Sequence, residues 1–339
     1  MALGAAILFG VATPFSKLLL GSVAPQLLAG VLYLGAGIGL AGLHLGRAVL
    51  GIPAPEAPLR RAELPWLGAV VLFGGVIGPL LLMLGLVQTD ATLGSLLLNL
   101  EGLATMAIAW VVFRENVDRR LLLGALAILA GGVVLSWTGY GFAFSPGAAL
   151  IAGACLAWGI DNNLTRKLSS ADPVVIAMVK GLVAGSVNVG IALARGTPMP
   201  PAMTVLAAAL LGFVAVGLSL VLFVLALRHL GSARTSAYFS LAPFIGAMVA
   251  VVLLNEPVMA QLLLAGALMG LGLWVHLAER HEHDHVHEPL EHDHAHTHDA
   301  HHHHHDGPFS EPHSHTHRHR PMRHKHPHYP DLHHRHPHG

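Results

Sequence analysis

Charge is what this sequence has least of. Only 11% of its 339 residues are Asp, Glu, Lys or Arg, while 53% are hydrophobic and the mean hydropathy is +0.59. A soluble domain carries roughly 25% charged residues, so a water-soluble globule is excluded. The shortage is sharper than the average implies, because many of the charges fall in the last sixty or so residues and those between Met1 and Glu279 sit in a few short clusters. Cysteine is almost absent. Cys155 is the single one and lies in an apolar run, so neither a disulfide framework nor a Cys-based metal site can be built. The formal net charge is zero, which argues against a nucleic-acid partner. No phosphate-binding glycine loop, dinucleotide fingerprint or Ser/His/Asp arrangement is present, so the chain is not read as an enzyme or an ATPase. The first apolar stretch lacks a small-residue cleavage pattern and runs into Pro14 and Lys17, so no cleaved signal peptide is expected. That stretch begins almost at Met1, which leaves a start further upstream open.

What the sequence has instead is long apolar runs. Runs of about 18 or more apolar residues read as membrane-spanning helices. Ten are expected: Ala2–Leu20, Pro25–Leu45, Pro65–Val87, Thr92–Phe113, Leu121–Trp137, Gly147–Thr165, Pro173–Ala194, Met203–Leu227, Thr235–Leu254 and Gln261–Ala278. The fold class expected is an all-α integral membrane protein. Glycines such as Gly35, Gly37 and Gly39 fit close helix packing better than a solute site. Lys and Arg alternate between loops. Arg47, Arg60 and Arg61 follow span two, Arg114, Arg119 and Arg120 span four, Arg166 and Lys167 span six, Arg228 and Arg234 flank the link after span eight, and Arg280 follows span ten. The opposite loops hold only Arg195. By the positive-inside rule both termini are cytoplasmic and the protein sits in the cytoplasmic (inner) membrane.

The two halves resemble each other. Ile7-Leu8-Phe9-Gly10-Val11 aligns with Leu156-Ala157-Trp158-Gly159-Ile160, which puts Lys17 on Arg166. Val111-Val112-Phe113-Arg114-Glu115 aligns with Val252-Leu253-Leu254-Asn255-Glu256, and without a gap Leu121-Leu122-Leu123 falls on Leu262-Leu263-Leu264. An odd number of spans per half forces the halves to insert in opposite directions, and inverted repeats are a transporter signature. The expected division is 1–140 and 147–278 for two five-helix repeats and 279–339 for a tail.

On these residues the chain resembles the drug/metabolite transporter superfamily, in its ten-helix EamA-type branch. The resemblance covers Met1 to about Glu279. It is carried by the paired halves and their endings, Leu98-Asn99-Leu100-Glu101 through Arg114-Glu115-Asn116 and Ser240-Leu241-Ala242-Pro243 through Asn255-Glu256-Pro257, and by Ala157-Trp158-Gly159. It implies a secondary transporter and favours export of a small metabolite or amino-acid-like solute.

A charge inside the membrane costs at least about 2.5–3.5 kcal/mol on insertion scales and needs a partner, a wet cavity or a function. Lys17, Glu101, Asp161 and Lys180 are such charges, and with Asn99, Asn162 and Asn163 they form the expected substrate pathway. Glu101 lies near mid-membrane, and its repeat counterpart is Ala242, so its charge is not shared scaffold. A buried carboxyl that exchanges protons would suit proton-coupled transport. Asp161-Asn162-Asn163 implies either a locally broken helix lining a cavity or a position just inside the interface. Lys180 can pair with Asp161 or Glu101. Lys17, at a span end, is expected to snorkel. Glu115 and Glu256 read as interfacial and structural, and the five tryptophans (Trp66, Trp110, Trp137, Trp158 and Trp274) as an aromatic belt.

Of 27 histidines, 24 lie between His281 and His338. This polar, repetitive tail is expected to be disordered without a ligand. Imidazole binds Zn²⁺, Ni²⁺, Co²⁺ and Cu²⁺. The candidate ligands are His281, His283, His285, His287, His292, His294, His296 and His298, followed by the unbroken run His301, His302, His303, His304 and His305. No cofactor is required. An expression tag is set aside because the pattern continues irregularly on both sides of that run. A pH-responsive polycation and compositional drift are the bland alternatives. The expected partners are the bilayer, a small solute, protons as coupling ion and divalent metal ions, with a homodimer open. Two other functions compete: a divalent Ni/Co/Zn exporter fed by the tail, and a non-transporting metal store or sensor. Against the exporter, the body offers only His44, His229 and His276, all near span ends.

Overall fold

A computed structural model describes residues 1–51, 59, 61–113, 119–137, 145–165, 168, 172–230 and 238–277, and in the tail the backbone of 282–286, 291–296, 313–318 and 323–327. The body is all-α, with ten spans arranged as two inverted five-helix repeats. Hydrocarbon offers no hydrogen-bond partner, so a spanning segment must satisfy its own backbone, and the apolar runs fold as helices even where they are rich in Gly and Pro.

In the first half, α1 is Ala2–Leu19 and α2 is Pro25–Val49. The third span is α3, Leu64–Val70, running through a π-helical segment, Val71–Ile77, into α4, Gly78–Val87. The fourth span is broken into α5, Ala91–Leu97, and α6, Leu100–Phe113, and the fifth is α7, Arg119–Ser136. In the second half, α8 is Pro146–Thr165 and α9 is Pro173–Ala194. The eighth span runs from α10, Ala202–Leu211, through a second π segment, Gly212–Leu218, into α11, Ser219–Leu230. The ninth ends in α12, Ala242–Leu254, and the tenth is α13, Ala260–Leu277. Among the described residues six segments are long and apolar enough to cross a membrane, and three shorter apolar helices are Leu122–Ser136, Ala242–Leu254 and Ala260–Val275. α8 joins neither group, because Asp161, Asn162 and Asn163 dilute its apolar run.

The contacts repeat when the halves are exchanged. α1 packs on α12 and α11 as α8 packs on α6 and α4, while α2 pairs with α9 and α7 with α13. The gapless alignment of Val111–Glu115 on Val252–Glu256 also carries Val71 onto Gly212, so the two π segments are equivalent. The α2–α9 pair depends on glycine. A Cβ on Gly37 would stand 2.4 Å from the Leu182 nitrogen, and one on Gly185 2.4 Å from that of Leu34. With lipid as solvent, such backbone-to-backbone approach replaces the hydrophobic drive of a soluble core.

The halves are also tied by Glu256. α12 ends at Asn255 in the left-handed conformation, φ 51°, which Asn tolerates better than most residues. The chain then turns so that the Glu256 carboxylate accepts from the Ala91 and Thr92 amides at 2.8 and 2.7 Å, and from the Thr92 hydroxyl. These are orphan donors at the start of α5, where an anion also meets the positive end of the helix dipole.

In the tail the described backbone lies in four short strands, β1 Glu282–Val286, β2 Glu291–His296, β3 His313–Arg318 and β4 Arg323–Pro327, as two antiparallel ladders, β1 with β4 and β2 with β3. Histidine alternates with another residue at period two, which is the period of a strand, and the early partners are acidic where the late ones are largely basic.

Candidate functional site

The break in the fourth span places the first site residue. After Leu97 the helix tightens, with the amides of Leu98, Asn99 and Glu101 bonding three residues back to Ser95, Leu96 and Leu98. α6 then starts afresh with Glu101 in its first turn. Asn99 closes the break itself, since its amide donates to the Leu96 carbonyl at 2.8 Å and contacts Met269 Sδ at 3.8 Å. It does not join the other polar residues.

Those residues come together where α6, α8 and α9 meet the first π segment. α8 continues unbroken through Thr165, so its polar triplet needs no local unwinding, and successive residues about 100° apart serve different neighbours. Asn162 Nδ2 donates to Glu101 Oε1 at 3.0 Å and to Thr105 Oγ1 at 3.1 Å. Asn163 Nδ2 donates to the carbonyls of Thr105 at 3.0 Å and Gly159 at 2.8 Å. Asp161 forms an ion pair with Lys180 on α9 and accepts from Thr165 Oγ1 at 3.3 Å. Of the two partners Lys180 could have taken, the structure selects Asp161. Asp161 and Asn163 are 4% and 2% exposed, so this is interior chemistry.

The π segment supplies the fourth wall. A π turn leaves backbone carbonyls off the regular ladder, and such turns recur at functional sites. Here the Gly74 carbonyl accepts from Tyr33 Oη at 2.9 Å and Trp158 Nε1 at 3.0 Å, and the Val76 carbonyl from Asn188 Nδ2 at 3.3 Å. Gly74 is obligatory, because a Cβ there would lie 2.0 Å from Asp161 Oδ2 and 2.5 Å from Lys180 Nζ. The buried Oδ1 atoms of Asn163 and Asn188 have no hydrogen-bond partner among the described residues. Two oxygens that could take a donor from a solute or water therefore flank the cluster.

In charge terms Lys180 and Asp161 balance each other. Glu101 is the surplus carboxyl, held by the Asn162 amide.

Lys17 lies elsewhere. Its ammonium donates to the Leu86 and Thr89 carbonyls at the end of α4, which joins the ends of two spans. Trp158 corrects the aromatic-belt expectation, being an interior donor to Gly74, while Trp110, Trp137 and Trp274 are about half exposed or more. Tyr33, Thr105 and Gly74 were not singled out by sequence. The Gly74-Gly75 pair ahead of Pro79 in an otherwise bulky span was the available signal.

The candidate metal ligands of the tail divide in two. His283 and His285 fall on β1, and His292, His294 and His296 on β2. His281, His287 and His298 lie outside the described residues, as does the whole run His301, His302, His303, His304 and His305, and so does Glu115 in the body. Among the described residues of the helical body no group of three or more His, Cys, Asp or Glu could hold a metal ion.

The sequence profile of the EamA-like transporter family matches residues 1–137 and 145–278, one segment for each half. The chain belongs to the EamA-like transporter family. It is 30% identical over 289 residues to an uncharacterized transporter of Methanothermobacter thermautotrophicus, covering 80% of this chain and 83% of that protein. A crystal structure superposes with a TM-score of 0.59 at 21% identity, covering 81% of this chain and 94% of the other. At that identity the likeness bears on fold alone. This EamA-like transporter is thus a multi-pass membrane protein of the drug/metabolite transporter superfamily, and its polar cluster lies where its two halves meet.

Proposed function

We propose that this EamA-like transporter exports a small metabolite or amino-acid-like solute across the cytoplasmic membrane, with protons as the coupling ion and both termini in the cytoplasm. The observation that carries this is the position of Glu101. It is a surplus carboxyl in the first turn of a broken helix, next to the Asn162 amide and the Lys180–Asp161 pair. Broken helices at the junction of inverted repeats are where transporters bind their substrates and coupling ions. The Lys/Arg distribution supports the orientation. The tail binds divalent transition-metal ions and adjusts transport to their supply. A divalent-metal exporter is the second reading, and the histidine tail favours it, but the cluster in the body is made of amides, hydroxyls and one ion pair.

The test is reconstitution in proteoliposomes with an imposed pH gradient, screening amino acids, small metabolites and Ni²⁺, Co²⁺ and Zn²⁺. An organic solute should move with the gradient, and Glu101→Gln should abolish that movement while the protein still expresses and stays monodisperse. Glu101→Gln that transports normally at every pH would remove proton coupling through this residue. Metal transport with no organic solute present would establish the second reading. Vesicles that move neither class would favour a metal store or sensor.

A further inference from the structure

The stretch Leu86–Thr92 joins the third span to the fourth, and the chain grips this connector from two sides. Counting spans from Met1 puts it at the membrane face opposite the amino terminus, beside the ends of α1 and α12 and the start of α8. On one side Lys17, in the last turn of α1, donates to the Leu86 and Thr89 carbonyls, at and just past the end of α4. On the other Glu256, just past the end of α12, accepts from the Ala91 and Thr92 amides and the Thr92 hydroxyl at the start of α5. Each charge meets the helix end that it complements, the cation at carbonyls and the carboxylate at amides. Lys17 comes from the first span and Glu256 from the link after the ninth, so this one connector is held by both halves. Gly147, in the first turn of α8, presses on it as well, since a Cβ there would lie 2.0 Å from Thr89 Oγ1.

Beneath the connector α1, α5 and α12 are shut on one another. A Cβ on Gly246 would stand 2.7 Å from the Gly10 carbonyl oxygen and 2.8 Å from Ser95 Oγ, and one on Gly10 2.6 Å from the Ala242 carbonyl oxygen. Between the three helices is a cavity of about 10 Å³, lined by Phe9, Gly10, Thr13, Ser95 and Ala242 among others, which is room for about one water molecule. The two repeat alignments set Phe9, Gly10 and Thr13 on Trp158, Gly159 and Asn162, and Ala242 on Glu101. This narrow space is therefore the pseudo-symmetric equivalent of the polar cluster. Its closure is opposed from within. Ser95 is 1% exposed and Thr89 7%, and neither hydroxyl has a hydrogen-bond partner among the described residues. Opening this end brings both to water, so the shut arrangement has to be held against its own buried hydroxyls. The bonds of Lys17 and Glu256 are placed to hold it.

We infer that Lys17 and Glu256 are the two catches of a gate. While both hold Leu86–Thr92, α1, α5 and α12 stay shut and the pathway is closed at this face. Release of either catch lets the helices part and solvent reach Ser95. This rests on the chain being a transporter, and not on its solute, its coupling ion or its absolute orientation.

The experiment is thiol accessibility of the full chain in membrane vesicles of both orientations, with a charged, membrane-impermeant maleimide. The reporter is Ser95→Cys in a Cys155→Ala background. Pro198→Cys, exposed in the loop between α9 and α10, lies on the same face by span count and shows which vesicles present that face. With both catches intact Ser95→Cys should react slowly from either side. Lys17→Met and Glu256→Ala should each speed its modification about tenfold or more, as loss of hydrogen bonds to a charged group does for an opening equilibrium, and only from the face that carries Pro198. Lys17→Arg keeps the cation and should stay slow. Thr92→Val removes one of the Glu256 contacts and keeps the side chain's shape, so it should give a smaller increase in the same direction even if Glu256→Ala does not fold. Equal speeding from both faces, or unchanged protection in the folded variants, would overturn the gate, as would a reporter that already reacts fast with both catches intact. Vesicles that transport nothing while the reporter still responds from one face would remove the transport reading and leave the gate.

Discussion

Replacing one hydrogen in the third span should disturb the whole cluster. In Gly74→Ala the new methyl would stand 2.0 Å from Asp161 Oδ2 and 2.5 Å from Lys180 Nζ, where ordinary contact begins at 3.4 Å. The carboxylate would have to retreat by more than an ångström, which separates the ion pair or pushes the π segment outward. Either response moves the Gly74 carbonyl that Tyr33 and Trp158 share. Overpacking a close-fitted interior costs about 1–3 kcal/mol, and breaking a buried ion pair about 3–5 kcal/mol. Partial loss of the pair puts the variant about 2–4 kcal/mol below the native protein. At about 2 °C per kcal/mol for a chain of this size, Tm should fall by about 4–8 °C. Gly68→Ala is the control, since a Cβ there meets nothing within 4 Å and Ala is the better helix former by about 1 kcal/mol. It should be neutral or slightly stabilising. Thermal unfolding of the detergent-purified protein reads both variants, and proteoliposome transport reads the function. In an Asp161→Ala, Lys180→Met background the penalty of Gly74→Ala should shrink, because the atoms it collides with are gone. If Gly74→Ala melts and transports like Gly68→Ala, the site geometry drawn here is refuted.

Three further outcomes concern the Glu256 cap and the tail. Glu256→Ala removes the acceptor for the Ala91 and Thr92 amides and should destabilise by about 1–2 kcal/mol, as the loss of a helix cap does, while Glu256→Gln recovers part of it; equal melting of all three proteins would dismiss the cap. Deleting everything after Arg280 should leave organic-solute transport measurable and remove its response to Zn²⁺, and in the intact protein metal affinity should fall below about pH 6 as imidazoles take up protons; transport lost outright on deletion would place the tail in the pathway instead.

The sequence exposes the site only where chemistry breaks an apolar pattern. Glu101, Asp161, Asn162, Asn163 and Lys180 are conspicuous because hydrocarbon penalises them, and the structure brings all five together. Lys17 and Asn99 are equally conspicuous yet serve helix ends. In a helix that is apolar on every side, no hydrophobic stripe tells which face meets a neighbour, so the direction of a polar side chain has no sequence signature. Gly74 acts through a carbonyl, an atom every residue possesses, and Tyr33 and Trp158 are recognisable as site residues only once that carbonyl is seen. The break at Leu98-Asn99 was hidden for a related reason, since membrane helices accept irregular backbone without the Gly or Pro that would mark it in water. The ten spans and their inverted halves were legible because they depend on run length and on a repeat that keeps Glu115 and Glu256 in step.

The matched π segments belong to the repeat itself. Val71–Ile77 and Gly212–Leu218 occupy equivalent places in two halves that share little side-chain identity, so the wide turn is a property of the five-helix unit rather than of either half's particular residues. Glu101 faces no such counterpart, since Ala242 stands in its place, and the Asp161–Lys180 pair is likewise confined to one side of the pseudo-symmetry. The polar site is thus an asymmetric feature that both halves help to build.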